Sequence, residues 1–327
     1  MNKYDGLGQY LKNKNTNIVE ITFKEIEERI NDKLPNSFYL YSACWSTYSS
    51  HFGRVILSYG YKTKVNIKSQ KVTFIKESGV IENKTTKLYA NMKKSLKRNI
   101  EIPTDLFDYF VNFEQPYFND ENSRYRSYDH LRNAFIKYRK NDDKKDYLAL
   151  MLYTYLASWG MLRNSFLLQK DYKFNLGLIE ILCSKKYDGL MNVDCFNIKC
   201  SEIELLFDLI EDIGNFYLGN DYFEGSDLKK VASVTDTLIS KIILGTFGCL
   251  IAYDRYVKHT LSILKIPVKL GKKSIVELFN FIKENQERII SLIPKFDRNL
   301  YTPAKIVDML FFEYGQHQVI KEEYENK

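Results

Sequence analysis

What this 327-residue sequence is short of already narrows its class. Proline occurs 6 times, and long apolar periodicities run between the prolines; that combination favours helices over a turn-rich β protein. The five cysteines, Cys44, Cys183, Cys195, Cys200 and Cys249, form no C-x-x-C pair and no framework spacing. Reduced thiols are expected, rather than disulfides or structural zinc. The four histidines, His51, His130, His259 and His317, are scattered, so no metal site is expected, and nothing points to a cofactor. There is no phosphate-binding P-loop, no G-x-G-x-x-G after a strand, no G-x-S-x-G elbow and no H-E-x-x-H, which disfavours nucleotide hydrolysis, nicotinamide redox chemistry and zinc hydrolysis. The most apolar stretch, 238–252, is interrupted by Lys241, Gly245 and Gly248 and is too short to span a bilayer. With a polar N-terminus as well, a cytoplasmic protein with no membrane partner is expected.

What is present is ample core material and a moderate positive charge. Hydrophobic residues make up 45%, with 25 Tyr and 21 Phe, and the net charge is +7. The length favours two domains, and the charge is compatible with an anionic partner.

Residues 1–78 read as one α+β domain. A short helix over 4–11 and an alternating strand over 18–22 lead to Thr22-Phe23-Lys24-Glu25, an S/T-x-x-E capping box that opens a helix carrying Phe23, Ile26 and Ile30 on one face. Leu34-Pro35 ends it. A polar loop around Trp45 is followed by a helix over 49–59 closed by Gly60, and the alternation across 61–76 predicts a β-hairpin. This order predicts a winged helix, with the 49–59 helix as its recognition helix and the 67–72 turn as its wing. Trp45 and His51 are the candidate ligand contacts, and packing in the small core accounts for Trp45 at least as well. A basic linker follows over 79–100, with Lys94 and Lys97 as candidate phosphate contacts.

Helical patterns dominate 101–327: around 103–113, then 147–162, 203–213, 228–243, 253–264, 275–293 and 302–314. No repeat period relates them, so an irregular helical domain is expected rather than a solenoid. Between 124 and 145 lies the densest basic and aromatic run, with Arg132 and Arg139 as candidate phosphate contacts among interleaved tyrosines. The same run equally describes a solvated helix and loop. Ser158-Trp159-Gly160 leads into Arg163-Asn164-Ser165, where Trp159 could stack on an extruded base, Asn164 or Ser165 could read its edge, and Arg163 is a further candidate nucleic-acid contact. Core packing with close backbone approach is the commoner reason for a Trp-Gly at a helix end.

Residues 237–257 read as a helix containing Lys241, a turn punctuated by Gly245 and Gly248, and a second helix whose first turn holds Asp254-Arg255. A glycine turn between two helices can offer backbone N–H groups to a phosphate. The pattern Ser-Lys-Ile-Ile-Leu followed by Ala-Tyr-Asp-Arg-Tyr-Val resembles the catalytic region of helix-hairpin-helix base-excision DNA glycosylases, in particular the divergent bacterial group related to 8-oxoguanine glycosylases. That resemblance implies Lys241 as the amine nucleophile at the sugar C1′ and Asp254 as the carboxylate that stabilises the developing positive charge. It also implies duplex DNA with a damaged or modified base as the partner. Residues 1–78, from Lys3-Tyr4-Asp5 through ITFKEIEE, Trp45, His51 and Gly60 to Val72-Thr73-Phe74, also resemble a family of small bacterial domains of unknown function.

Three functions therefore stand at the level of sequence. The leading expectation is a base-excision glycosylase used in repair or phage defence, with the first domain as an added DNA reader. The second is a non-enzymatic nucleic-acid-binding regulator or defence sensor. The third is a protein-interaction component of a toxin–antitoxin or abortive-infection system.

Overall fold

The computed structural model describes residues 3–14, 16–40, 42–45, 50–76, 103, 105–108, 120, 122–163, 165–292 and 300–325. The chain divides into two compact units, Met1–Lys97 and Arg98–Lys327. The expected linker with Lys94 and Lys97, most of the expected helix around 103–113, and Asn164 lie outside the described residues.

The first unit runs α1 (Asp5–Lys14), β1 (Ile18–Thr22), α2 (Phe23–Ile30), α3 (Asn36–Leu40), a 3-10 turn (Ser42–Trp45), α4 (His51–Ser58), β2 (Tyr61–Asn66) and β3 (Lys71–Lys76). The capping box forms as its residues dictate. The Glu25 amide donates to the Thr22 hydroxyl, and the Glu25 carboxylate accepts from the Thr22 amide. Asn31, in the left-handed conformation at φ 50°, ends α2. The strands pair antiparallel in the order β1-β3-β2. Their alternation turns Val19, Ile21, Val72 and Phe74 into a core closed by Leu7, Leu11, Phe23, Ile26, Phe52 and Ile56 from the helices.

Trp45, expected at a ligand, lies instead at the centre of this core. It is 1% exposed, stacks on Phe23 at 4.5 Å, meets Phe38 and Phe52 edge-on, and donates its indole N–H to the Phe38 carbonyl at 2.7 Å. With its polar atom satisfied and its rings covered, packing alone accounts for it. The stretch expected as a loop before it contains α3, which brings Phe38 into that cluster. His51 opens α4, and its side chain lies outside the described residues.

The second unit is mainly helical: α5 (Arg126–Tyr138), α6 (Lys145–Ser158), α7 (Leu176–Cys183), α8 (Cys200–Tyr217), α9 (Asp236–Phe247), α10 (Arg255–Ile263), α11 (Lys272–Glu284), α12 (Gln286–Leu292) and α13 (Pro303–Glu325). Short 3-10 segments occupy much of 166–190. The centre is α9, buried at every residue from Leu238 to Phe247, with α5, α6 and α8 packed around it. A helix apolar on all sides belongs there.

Two expectations are corrected. The helix expected over 228–243 begins only at Asp236, capped by the Thr235 hydroxyl. The residues before it form a hairpin of β4 (Asp221–Glu224) and β5 (Asp227–Lys230), turned by Gly225 at φ +64°. The helix expected over 275–293 is broken at Asn285 into α11 and α12. Among the described residues, no helix is long and apolar enough to cross a membrane.

Candidate functional site

Three elements of the second unit bring four ionisable side chains to one buried cavity. Lys241 comes from α9. Asp254 is the N-cap of α10, at the end of an irregular segment, 249–254. Lys305 and Asp308 come from the first turns of α13. Tyr125, Tyr155, Trp159, Met309 and Phe312 complete the walls.

Lys241 Nζ lies 3.1 Å from Asp254 Oδ2 and 4.4 Å from the centroid of the Trp159 ring, so one ammonium has a carboxylate and an indole face as partners. The other Asp254 oxygen accepts the amides of Tyr256 and Val257, at 3.1 and 3.0 Å. Asp254 thus caps α10 and faces the lysine at once. Lys305 Nζ lies 3.2 Å from Asp308 Oδ2 and 4.5 Å from the Tyr128 ring centroid. Asp308 Oδ1 accepts the Ala252 amide at 2.8 Å, and the Ser240 hydroxyl accepts the Tyr253 amide at 2.7 Å. The residues leading to Asp254 are therefore held from both α9 and α13.

Lys241, Lys305 and Asp308 are each less than a tenth exposed. Burial pushes the Asp308 carboxyl above the usual carboxylate range, opposed by Lys305 and Lys241. Ion pairs this dry recover little net stability, because desolvating the charges offsets their attraction. Two such pairs around one cavity, with the Asp308 carboxyl perturbed, mark a candidate site. The cavity measures about 10 Å³, room for about one water-sized sphere.

Beside the cavity wall, Glu313 of α13 is buried, and its carboxyl is pushed up to about 7 by that burial, against the pull of Arg124 and the Tyr125 hydroxyl. Its Oε1 has no hydrogen-bond partner, nor has the indole N–H of Trp159. The Arg124 guanidinium lies over both the Tyr125 and Trp159 rings, at 5.3 and 5.4 Å.

Of the residues singled out in the sequence, Lys241, Asp254 and Trp159 are brought together. The glycines do otherwise than expected. Gly245 lies inside α9, where a Cβ would come within 2.7 Å of Leu131 Cδ2 and 2.9 Å of Tyr155 Cε1; it is a close-packing position, not part of a phosphate-facing turn. Gly248 is the left-handed C-cap of α9, and its amide is spent on the Ile243 and Leu244 carbonyls. An irregular segment of several residues, not a tight glycine turn, joins α9 to α10.

Arg132 and Arg139, expected on a basic surface, are also corrected, being 2% and 5% exposed. Arg132 donates to the Thr246 carbonyl at the C-terminal end of α9, where a cation complements the helix dipole. Arg139 pairs with Asp188 and donates to the Leu182 and Ser184 carbonyls. Arg163 is exposed just beyond Gly160, and Arg255 is exposed and paired with Glu323 at 3.0 Å. Lys305, Asp308 and Glu313 escaped the sequence reading; their signal is a charge at each of three positions in the otherwise apolar run 304–314. Among the described residues, no group of three or more His, Cys, Asp or Glu could hold a metal ion. Comparison with family models, with curated proteins and with solved structures finds no match to this chain.

Proposed function

We propose that the second unit is a base-excision DNA glycosylase, with Lys241 as nucleophile and Asp254 as its carboxylate partner. The observation that carries this reading is the 3.1 Å contact between Lys241 Nζ and Asp254, sealed beneath the Trp159 indole. In the forward step the Lys241 ammonium passes a proton to Asp254 and the free amine attacks C1′ of the sugar. The N-glycosidic bond breaks with its electron pair leaving on the base, which takes up the proton that Asp254 received. The Asp254 carboxylate so restored faces the positive charge that develops on the sugar. Lys305 and Asp308 act as positioning residues through the Ala252 amide.

The cavity is far smaller than the hundreds of Å³ typical of small-molecule sites, so base entry requires Trp159, Tyr125 and Phe312 to move outward. For the first unit, the element order and the sheet order β1-β3-β2 support a winged-helix reading, with Lys68 and Lys71 at the tip of its hairpin.

The test uses duplexes carrying a panel of damaged or phage-type modified bases. Alkali-labile breaks should appear at the modified site, and borohydride should trap a covalent protein–DNA adduct that is lost in Lys241→Gln. Intact strands and no adduct across the panel would sink the glycosylase reading. A salt-sensitive gel shift without any product would favour a binding module.

A further inference from the structure

The β4–β5 hairpin has one edge that is occupied and one that is open. In an antiparallel pair, opposite residues alternate between exchanging backbone hydrogen bonds with each other and directing them outward. The Phe223 amide donates to the Gln169 side-chain oxygen at 2.7 Å, and its carbonyl accepts the Gln169 side-chain nitrogen. Lys170 Nζ donates to the Asp221 carbonyl at 2.7 Å. Phe223 and Asp221 therefore direct their backbone groups away from β5, and Gln169 and Lys170 cover that edge. Leu228 and Lys230 stand opposite them in the register, so their amides and carbonyls point to the outer edge of β5. Among the described residues, no other element meets that edge. An unprotected edge is a template for another strand.

Side chains restrict which strand it accepts. Leu228 is 62% exposed, with Phe223 at 57% beside it and Leu168 at 64% near the Gln169 bridge. A groove of about 880 Å³, lined in part by Leu168, Phe223 and Leu238, continues this surface. Within the hairpin Lys229 pairs with Glu224 and Lys230 with Asp221, which leaves the charge of Asp227 over. An edge with apolar flanks and an excess of negative charge suits a protein better than a phosphate backbone.

We infer that the outer edge of β5 pairs antiparallel with β5 of a second copy of this chain, in the register that places Leu228 opposite Leu228 of the second copy. Only residues that point outward on both strands can exchange hydrogen bonds across a new edge, and this register satisfies that for residues 226, 228 and 230. It also sets Asp227 against Lys229 of the second copy and Lys229 against its Asp227, so opposite charges meet twice. The β4 edge is not open to such pairing, since Gln169 and Lys170 cover it. Two four-residue strands and their apolar flanks bury less than the roughly 800 Å² per partner of a standard interface, so the dimer forms only at raised concentration. Nothing in this pairing depends on the reaction of the Lys241 cavity.

Sedimentation velocity of the full chain over a concentration series tests it, with far-UV circular dichroism confirming the fold of each variant. Wild type should shift from monomer to dimer as concentration rises. Asp227→Lys should remain monomeric at every concentration that dimerises wild type, and adding Lys229→Asp to it should restore the dimer by exchanging the charges. Leu228→Pro, which removes an outward amide and no hydrogen bond within the hairpin, should also remain monomeric. A wild type that stays monomeric throughout, a dimer indifferent to Asp227→Lys and Leu228→Pro, or a double variant that fails to re-form it would overturn the inference.

Discussion

At the scale of single residues, the ionic cavity makes the sharpest demands. Asparagine is as good an N-cap as aspartate, so Asp254→Asn should keep the Tyr256 and Val257 bonds and the start of α10 while removing the charge that serves Lys241. Base release should fall by at least about 100-fold, the scale of losing a positioned electrostatic group, with DNA binding retained; single-turnover kinetics and a gel shift measure the two. Lys241→Met leaves Asp254 and Asp308 short of a counter-charge, and denaturant unfolding should show a loss of about 3–5 kcal/mol. Glu313 sets a pH dependence of definite sign. Its carboxyl titrates near 7 when folded, against an ordinary value of 4.5. Between those values the native state binds more protons than the unfolded chain, so stability falls as pH rises through the window and levels off above it. Glu313→Gln should flatten that slope and be the more stable protein at pH 8, by roughly 1–3 kcal/mol, in unfolding curves taken across pH 4–8. Lys241 and Asp254 were legible because 13 residues of chain hold both and their types suggest a chemistry. Lys305 and Asp308 were not, because only the tertiary fold returns α13 to that cavity. Arg132 and Arg139 misled because charge density along a chain does not say which face of α5 turns inward.

At the scale of elements, the site depends on how closely helices approach. The packing of α10 against α13 is the most extensive between helices of the second unit, and Gly315 makes it possible: a Cβ there would fall onto the Tyr256 carbonyl oxygen. Because the obstacle is backbone, no rotamer change relieves it. Gly315→Ala should therefore force the helices apart, lower stability by about 1–3 kcal/mol or more, and displace the N-terminus of α10 together with Asp254. Thermal unfolding reads the first effect and trapping by borohydride the second. Strong local signals led to correct elements: the Thr22–Glu25 capping box, the 61–76 alternation and the apolar run of α6. Elements lacking them were misread. Residues 228–230 join the β4–β5 hairpin because Gly225 supplies the turn, although their composition suited the start of a helix. The α9–α10 connection was expected to be a tight turn because Gly245 looked like punctuation, when its missing side chain instead admits Leu131 and Tyr155.

At the scale of the whole molecule, an α+β unit ahead of a mostly helical one was readable from periodicity alone, since two hydrophobic periods change places along the chain. The first unit has its own core of Leu7, Phe23, Trp45, Phe52 and Phe74. Residues 1–97 produced alone should therefore fold cooperatively, with dispersed amide resonances and a melting transition of their own; a featureless spectrum would show that the core needs the rest of the chain. If the second unit takes up a base as proposed, a cavity with room for one water fixes the order of events. The form wide enough for a base would then be a minor population, and the apparent dissociation constant would rise in inverse proportion to that population. Stopped-flow association should then stop accelerating as DNA is added in excess and level off at the rate at which Trp159 and its neighbours part. Shrinking the gate with Trp159→Leu should raise that ceiling, so that under the proposed function selectivity among bases would be exercised while the door is open and not in the encounter that precedes it.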